Sequence, residues 1–266
     1  MSGTPGRLVF AGLGLHDEEG LTLRALDEVE AADIVFVETY TSSLQEGAIQ
    51  RLEAKVGKRF RALDRKAVED GNAIIEAARS GRVLLLVAGD PMSATTHVDL
   101  RLRAAEQSIQ TYVVHGVSVM TAVPGLLGLQ HYKFGRTTSL PFPQEGYSPT
   151  SPYEAVSENL ARGLHTLVLL DIDAENGRFM TANEGIRLLL DMERRVGSGL
   201  LSEESLICVV ARAGHSEPAV RAGSARELVG EDFGPPLHSL VVPGKLHFME
   251  ERALEVFGGL RGTENR

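Results

Sequence analysis

Residues Val83–His97 read VLLLVAGDPMSATTH, and they constrain this chain more than any other stretch. Five consecutive apolar residues leave no polar face for solvent, so the segment fits a strand covered on both sides, as in a parallel sheet. Ala88-Gly89-Asp90-Pro91 ends the run, and Ser93, Thr95 and Thr96 crowd the start of the next segment. Open α/β sheets place ligands at the carboxyl ends of their strands. A carboxylate, a tight turn and three hydroxyls at that point suit a small polar cofactor. They equally suit an ordinary strand-to-helix loop in which Asp90 and Ser93 cap backbone amides.

The residues before and after repeat the same alternation. Apolar runs at Arg7–Ala11, Ile34–Glu38, Arg59–Leu63, Val83–Ala88 and Tyr112–His115 read as strands. Between them, helical spacing predicts helices over Leu23–Ala32 (with Thr22 as N-cap), Glu46–Val56, Asn72–Ser80 and Val98–Gln107, and after the fifth strand over Ser118–Leu129. Strands alternating with helices imply a mostly parallel sheet covered on both faces. Phe134–Pro152 carries four prolines and reads as a long loop or linker. Beyond it, helices are predicted at Tyr153–Arg162, Thr181–Arg195, Ser224–Val229 and His247–Phe257, with strands at Thr166–Asp171, Leu206–Ala211 and Leu240–Val242. The expected fold is therefore two α/β domains with a cofactor cleft between them. Residues 1–130 form the N-terminal domain with its mostly parallel sheet, and residues 131–266 the C-terminal domain with a mixed sheet.

Several function classes are disfavoured. No run of eighteen apolar residues exists, so no membrane span is expected. Net charge is −9 and no stretch clusters Lys and Arg, which argues against nucleic acid as the main partner. The single cysteine, Cys208, fits a reducing cytoplasm and reads as a core residue. Gly12-x-Gly14 lacks the third glycine of a dinucleotide fingerprint, because that position is Asp17. The eight histidines show no metal-ligand spacing, so no metal site is expected. No P-loop or serine nucleophile elbow occurs. What remains is a set of loops at strand ends: Gly12–Asp17, Glu38–Ser43, Gly89–His97, His115–Ser118 and Ala211–Gly214. Ser118 doubles as a helix N-cap candidate, and His238, after Pro235-Pro236, reads as a surface residue on local composition.

With these loops in view, the chain resembles the diphthine synthase family of the tetrapyrrole-methylase superfamily, enzymes that use S-adenosylmethionine. The stretches that carry the resemblance are GLGLHDEEGLTLRAL, ETYTS, AGDPMSATTH, HGVSV, HYKFG, ENLARGLHTLVLLDI, MTANE, ARAG, EDFGPPLH and VPGKLHFME. GxGL and GDP are shared across the superfamily, whereas YKFG, LHTL, MTANE and VPGKLH together are specific to the family. The resemblance implies a homodimeric, tetrapyrrole-methylase-like fold and S-adenosyl-L-methionine as cofactor. It also implies a protein substrate, translation elongation factor 2, whose modified histidine is trimethylated on its amino group on the way to diphthamide. The alternative within the fold is a corrin or sirohaem pathway C-methyltransferase. Carried over by motif, the cofactor contacts are Leu15, Asp90, Ser93, Ser118, Val119, Leu170, Ala213 and His238. Tyr40 and His97 are candidates to line the substrate entrance. Methyl transfer from a sulfonium needs alignment and exclusion of water above all, and no catalytic residue is assigned by spacing.

Overall fold

A computed structural model describes residues 6–38, 44–144, 146–174 and 176–261. The chain divides into two compact units, one running to Val119 and including Ala174–Gly177, the other covering Met120–Asp173 and continuing from Arg178. No described helix is long and apolar enough to cross a membrane.

The first unit runs β1 (Arg7–Gly12), α1 (Leu23–Ala31), β2 (Ile34–Glu38), α2 (Ala48–Val56), β3 (Arg61–Leu63), α3 (Arg65–Asp70), α4 (Asn72–Ala78), β4 (Arg82–Val87), α5 (His97–Glu106) and β5 (Gln110–Val114). Its five strands lie in the order β3-β2-β4-β1-β5, every neighbouring pair parallel. Alternate residues of each central strand serve opposite faces. Leu8, Phe10, Val83 and Leu85 pack with Ile74, Ile75, Leu100 and Ala104 of α4 and α5. Val9, Ala11, Leu84 and Leu86 pack with Ala25, Val29 and Leu52 of α1 and α2. This is why Val83–Val87 shows no polar alternation: both of its faces are covered by helices.

The winding creates a switch point. From β1 the chain passes outward through α1 on one face, and from β4 it passes through α5 on the other. β1 and β4 are nonetheless neighbours in the sheet. Adjacent strands whose outgoing connections leave to opposite faces open a crevice at their carboxyl ends. The crevice falls at Gly12–Gly14 and Gly89–Asp90.

The second unit contains α6 (Val119–Leu127, which begins one residue before the division), β6 (Thr138–Leu140), α7 (Ser151–Ala161), β7 (Thr166–Leu170), β8 (Ile172–Asp173), β9 (Arg178–Phe179), α8 (Ala182–Val196), β10 (Leu206–Ala211), β11 (Ala219–Ser224), α9 (Ala225–Leu228), β12 (His238–Val242) and α10 (Phe248–Gly258). Its sheet is mixed, in the order β11-β10-β12-β7-β6, with only β6 and β7 parallel. Leu140, Val168, Val209 and Leu240 meet Val156 of α7 and Ile186 and Leu189 of α8 in its core. Cys208 is fully buried in β10, and burial pushes its thiol pKa upward.

The helix starts follow local chemistry. Thr22 accepts the Ala25 amide at 3.1 Å, as its N-cap role requires. Thr181 with Glu184, Ser224 with Glu227, and His247 with Glu250 each form a reciprocal capping box. Three expectations change. The proline-rich stretch Phe134–Pro152 is not simply a linker, since it holds β6, an edge strand of the second sheet. The helix expected over Asn72–Ser80 is preceded by a second one, α3, capped by Asp64 and separated from α4 by Gly71 at φ 64°. The strand β11 and the small β8–β9 hairpin were not anticipated.

Candidate active site at the carboxyl edge of the first sheet

Glycines allow three loops to close over the end of β1. Neighbouring strands are spaced about 4.8 Å apart, so β4 and β5, which flank β1, are separated by roughly twice that distance. Gly12 ends β1, and a Cβ there would lie 2.4 Å from the Gly89 carbonyl oxygen and 2.7 Å from Gly116 Cα. Without side chains at Gly12 and Gly116, the β4 and β5 loops meet above β1. Gly14 and Gly89, both at positive φ, exchange two backbone hydrogen bonds of 3.3 and 2.7 Å. The Leu13 amide adds a 2.8 Å bond to the Val87 carbonyl.

Asp90 joins these loops. Its Oδ1 accepts the Met92 amide (2.9 Å) and the Ser93 hydroxyl (3.3 Å). Its Oδ2 accepts from His115 Nδ1 (2.7 Å) and the Gly116 amide (3.3 Å). Burial opposes ionisation here, but the Met92 amide, His115 and the Gly116 amide outweigh it and hold the carboxyl below its ordinary value. A carboxylate offers about four lone-pair positions, and the protein fills all of them. Asp90 therefore fixes the shape of the crevice as much as it lines it. Ala94, in the same loop, sits at φ 55°, a region non-glycine residues rarely occupy and one that recurs at ligand sites.

Behind this loop lies a buried pair. His97 Nδ1 donates to the Pro91 carbonyl and Nε2 meets Glu38 Oε2, both at 2.9 Å, with neither side chain appreciably exposed. Burial alone would favour neutral imidazole; the adjacent Glu38 carboxylate reverses this and raises the His97 pKa. His97 is thus a buried brace between β2, the β4 loop and α5, not a residue at the pocket entrance. Tyr40, proposed beside it, lies outside the described residues.

Of the residues expected to touch cofactor, Leu15, Asp90, Ser93 and Ser118 fall on the loops at the carboxyl edge of the first sheet, and Val119 opens α6 directly after the last of them. Leu170, Ala213 and His238 fall together in the second unit: Leu170 ends β7, Ala213 follows β10, and His238 opens the antiparallel β12 between them. His238 is buried, which corrects the surface reading. Its Nδ1 accepts the Ala182 amide at 3.1 Å, and Nε2 faces the Gly234 and Pro235 carbonyls. The neighbouring Arg212 is held at φ 55°.

A second polar assembly is built in the second unit alone. The Glu250 carboxylate, fully buried, accepts the Gln130 amide (2.9 Å) and His165 Nε2 (3.0 Å) on one oxygen. The other oxygen accepts the His247 amide (2.8 Å) and the Lys133 ammonium. His165 Nδ1 accepts the Gly244 amide at 2.9 Å. Burial would raise the Glu250 pKa, but Lys133 and the converging amides bring it down to about 2.

A family model described as tetrapyrrole (corrin/porphyrin) methylases matches residues 7–229. The diphthine synthase of Methanocaldococcus jannaschii is 47% identical over 251 residues, covering 93% of this chain and 97% of the relative. That of Methanosphaerula palustris is 49% identical over 254 residues, covering 95% and 99%. The chain belongs to the diphthine synthase family. A crystal structure of a diphthine synthase superposes with a TM-score of 0.88 at 35% identity, over 96% of this chain and 97% of the other. The motifs of this diphthine synthase family member divide by place. GLGL, AGDPMSATTH and HGVSV build the crevice, whereas HYKFG, LHTL and VPGKLHFME meet at Glu250.

The pair Asp90–His115 was not found by sequence reasoning. Twenty-five residues separate the two, so no spacing motif joins them. The strand order does: residues following β4 and β5 become neighbours once β1 ends in glycine.

Proposed function

We propose that this protein is an S-adenosylmethionine-dependent N-methyltransferase of diphthamide biosynthesis. Its substrate would be elongation factor 2 carrying 2-(3-amino-3-carboxypropyl)-histidine, whose amino group it trimethylates. The observation that carries the reading is the glycine-floored crevice at the β1–β4 switch point, built from motif stretches of a family to which the whole chain belongs. The residues fit such a ligand. Gly12 and Gly14 are closed over by neighbouring backbone, whereas a Cβ at Gly89 would meet nothing nearer than 3.9 Å, so a flat nucleoside can approach the backbone there. Ser93, Ser118 and the loop amides offer polar partners, and Leu15 and Val119 offer apolar ones. In the second unit Leu170, Ala213 and His238 are the proposed contacts, His238 through its backbone because its ring nitrogens are engaged. Bound S-adenosylmethionine supplies an electrophilic methyl group on a sulfonium that departs as a neutral thioether. The chain's part is to hold and align the reactants and keep water away. Asp90 acts by locking the two loops together.

Homodimerisation and a cytoplasmic location accompany this reading. A lone buried thiol fits a reducing compartment, and sedimentation of the purified protein tests the dimer. The function is tested with labelled S-adenosylmethionine and elongation factor 2 bearing the aminocarboxypropyl-histidine. Label on that protein supports the proposal. Label on a porphyrinoid, with none on the protein, would replace it with tetrapyrrole C-methylation.

A further inference from the structure

We infer that His115 is the proton acceptor of the reaction, its Nε2 taking a proton from the substrate ammonium before methyl transfer. The inference deepens the proposed function and rests on it. Asp90 is buried and ionised, and its Oδ2 can only accept, so the 2.7 Å contact places a proton on His115 Nδ1. In the neutral ring the lone pair is then on Nε2. The His115 side chain is 73% exposed at the carboxyl edge of the sheet, and Nε2 has no hydrogen-bond partner among the described residues. A carboxylate behind one ring nitrogen and an open lone pair on the other is the arrangement of an oriented general base.

The chemistry gives such a group a step to perform. An aliphatic ammonium has no lone pair, and each methylation leaves the nitrogen protonated again until it is quaternary. The N–H bond breaks with its proton going to Nε2. The pair left on nitrogen forms the N–C bond as the C–S bond breaks, and the C–S bonding pair departs with sulfur. The exposed imidazolium then returns its proton to water, ready for the next cycle.

The ionisable groups on the surrounding loops are few. Asp90 lies on the β4 loop, and His16 and Asp17 lie beyond the β1 glycines with their own contact of 3.9 Å. The Glu38–His97 pair is buried behind Pro91. Of these, Asp90 alone contacts His115.

Three measurements test the inference. Long-range proton–nitrogen spectra of the cofactor-free protein should show His115 as the Nδ1–H tautomer; the Nε2–H tautomer would overturn it. His115→Gln and His115→Ala, compared with wild type at saturating S-adenosylmethionine because His115 also braces Asp90, should slow single-turnover methylation about a hundredfold, the low end for a lost general base. Added imidazole should restore a large part of the rate to the alanine variant. A rate within threefold of wild type at saturating cofactor, or a loss that imidazole does not recover, would refute the role. If the wild-type protein itself fails to label elongation factor 2, the proposed function fails instead, so the two are distinguished by the control.

Discussion

Replacing Glu250 with Gln should destabilise the second unit by about 3 kcal/mol at neutral pH, by two routes. The carboxyl is held at about 2 against its ordinary 4.5, and about 1.4 kcal/mol per tenfold makes that gap worth about 3 kcal/mol. Counted instead from the contacts that cause the shift, Gln offers one acceptor oxygen where four donors converge. About two donors would lose their acceptor at about 1–3 kcal/mol each. Lys133 is 21% exposed and also donates to the Lys245 carbonyl, so it can recover part of its share from water. Both routes converge near 3 kcal/mol, which lowers the melting temperature by roughly 6–12 °C for a chain of this size. The sign with pH is fixed by a depressed carboxyl: its stabilisation is present above 4.5 and is lost as pH falls towards 2. Thermal unfolding followed by circular dichroism at pH 7 and pH 3 measures it. A Glu250→Gln protein within 1 kcal/mol of wild type at pH 7, or a gap that does not narrow in acid, would refute the assignment of this network as a structural lock.

Gly12→Ala should cost about 2 kcal/mol or more and abolish S-adenosylmethionine binding, since its Cβ would meet backbone atoms that cannot move aside; calorimetry below the melting point separates the two effects. Asp90→Ala should weaken cofactor affinity at least about tenfold by releasing two bonds that shape its own loop and two that tie it to the β5 loop, and unchanged affinity by calorimetry would remove Asp90 from the site. For the buried His97–Glu38 pair the sign is opposite to that of Glu250. A raised histidine pKa stabilises below about 6.5 and loses that contribution as pH rises through the folded value. The stability gap between wild type and Glu38→Gln should therefore be larger at pH 6 than at pH 9, and urea titrations showing equal gaps would contradict it.

The parallel half of the fold was legible because its central strands are continuous apolar runs and α1 carries a start signal in Thr22. What was not legible had weak local signals. Thr138–Leu140 is three residues at a sheet edge, flanked by proline and without alternation. Ala219–Ser224 contains Gly and Arg and is a strand because β10 pairs with it. The site divided in the same way. The loops were visible as clusters of small and polar residues, but the contacts Asp90–His115 and Glu38–His97 join positions 25 and 59 residues apart. Such pairs are set by strand order, which local periodicity does not encode. The stretches HYKFG, LHTL and VPGKLHFME mark the family, yet they converge on a buried carboxylate in the second unit. A family signature can therefore preserve a packing arrangement as well as a reaction.

Cys208 offers an experimental handle that requires no engineering. It is the only thiol in a chain without tryptophan, and it sits in a central strand of the second sheet where reagents cannot reach it. Its alkylation must wait for that strand to open, so the labelling rate at rising denaturant counts openings of the second unit alone. The first unit, lacking any thiol, stays silent. A single atom already present in the native chain can thus report whether ligand binding stiffens that half of the molecule.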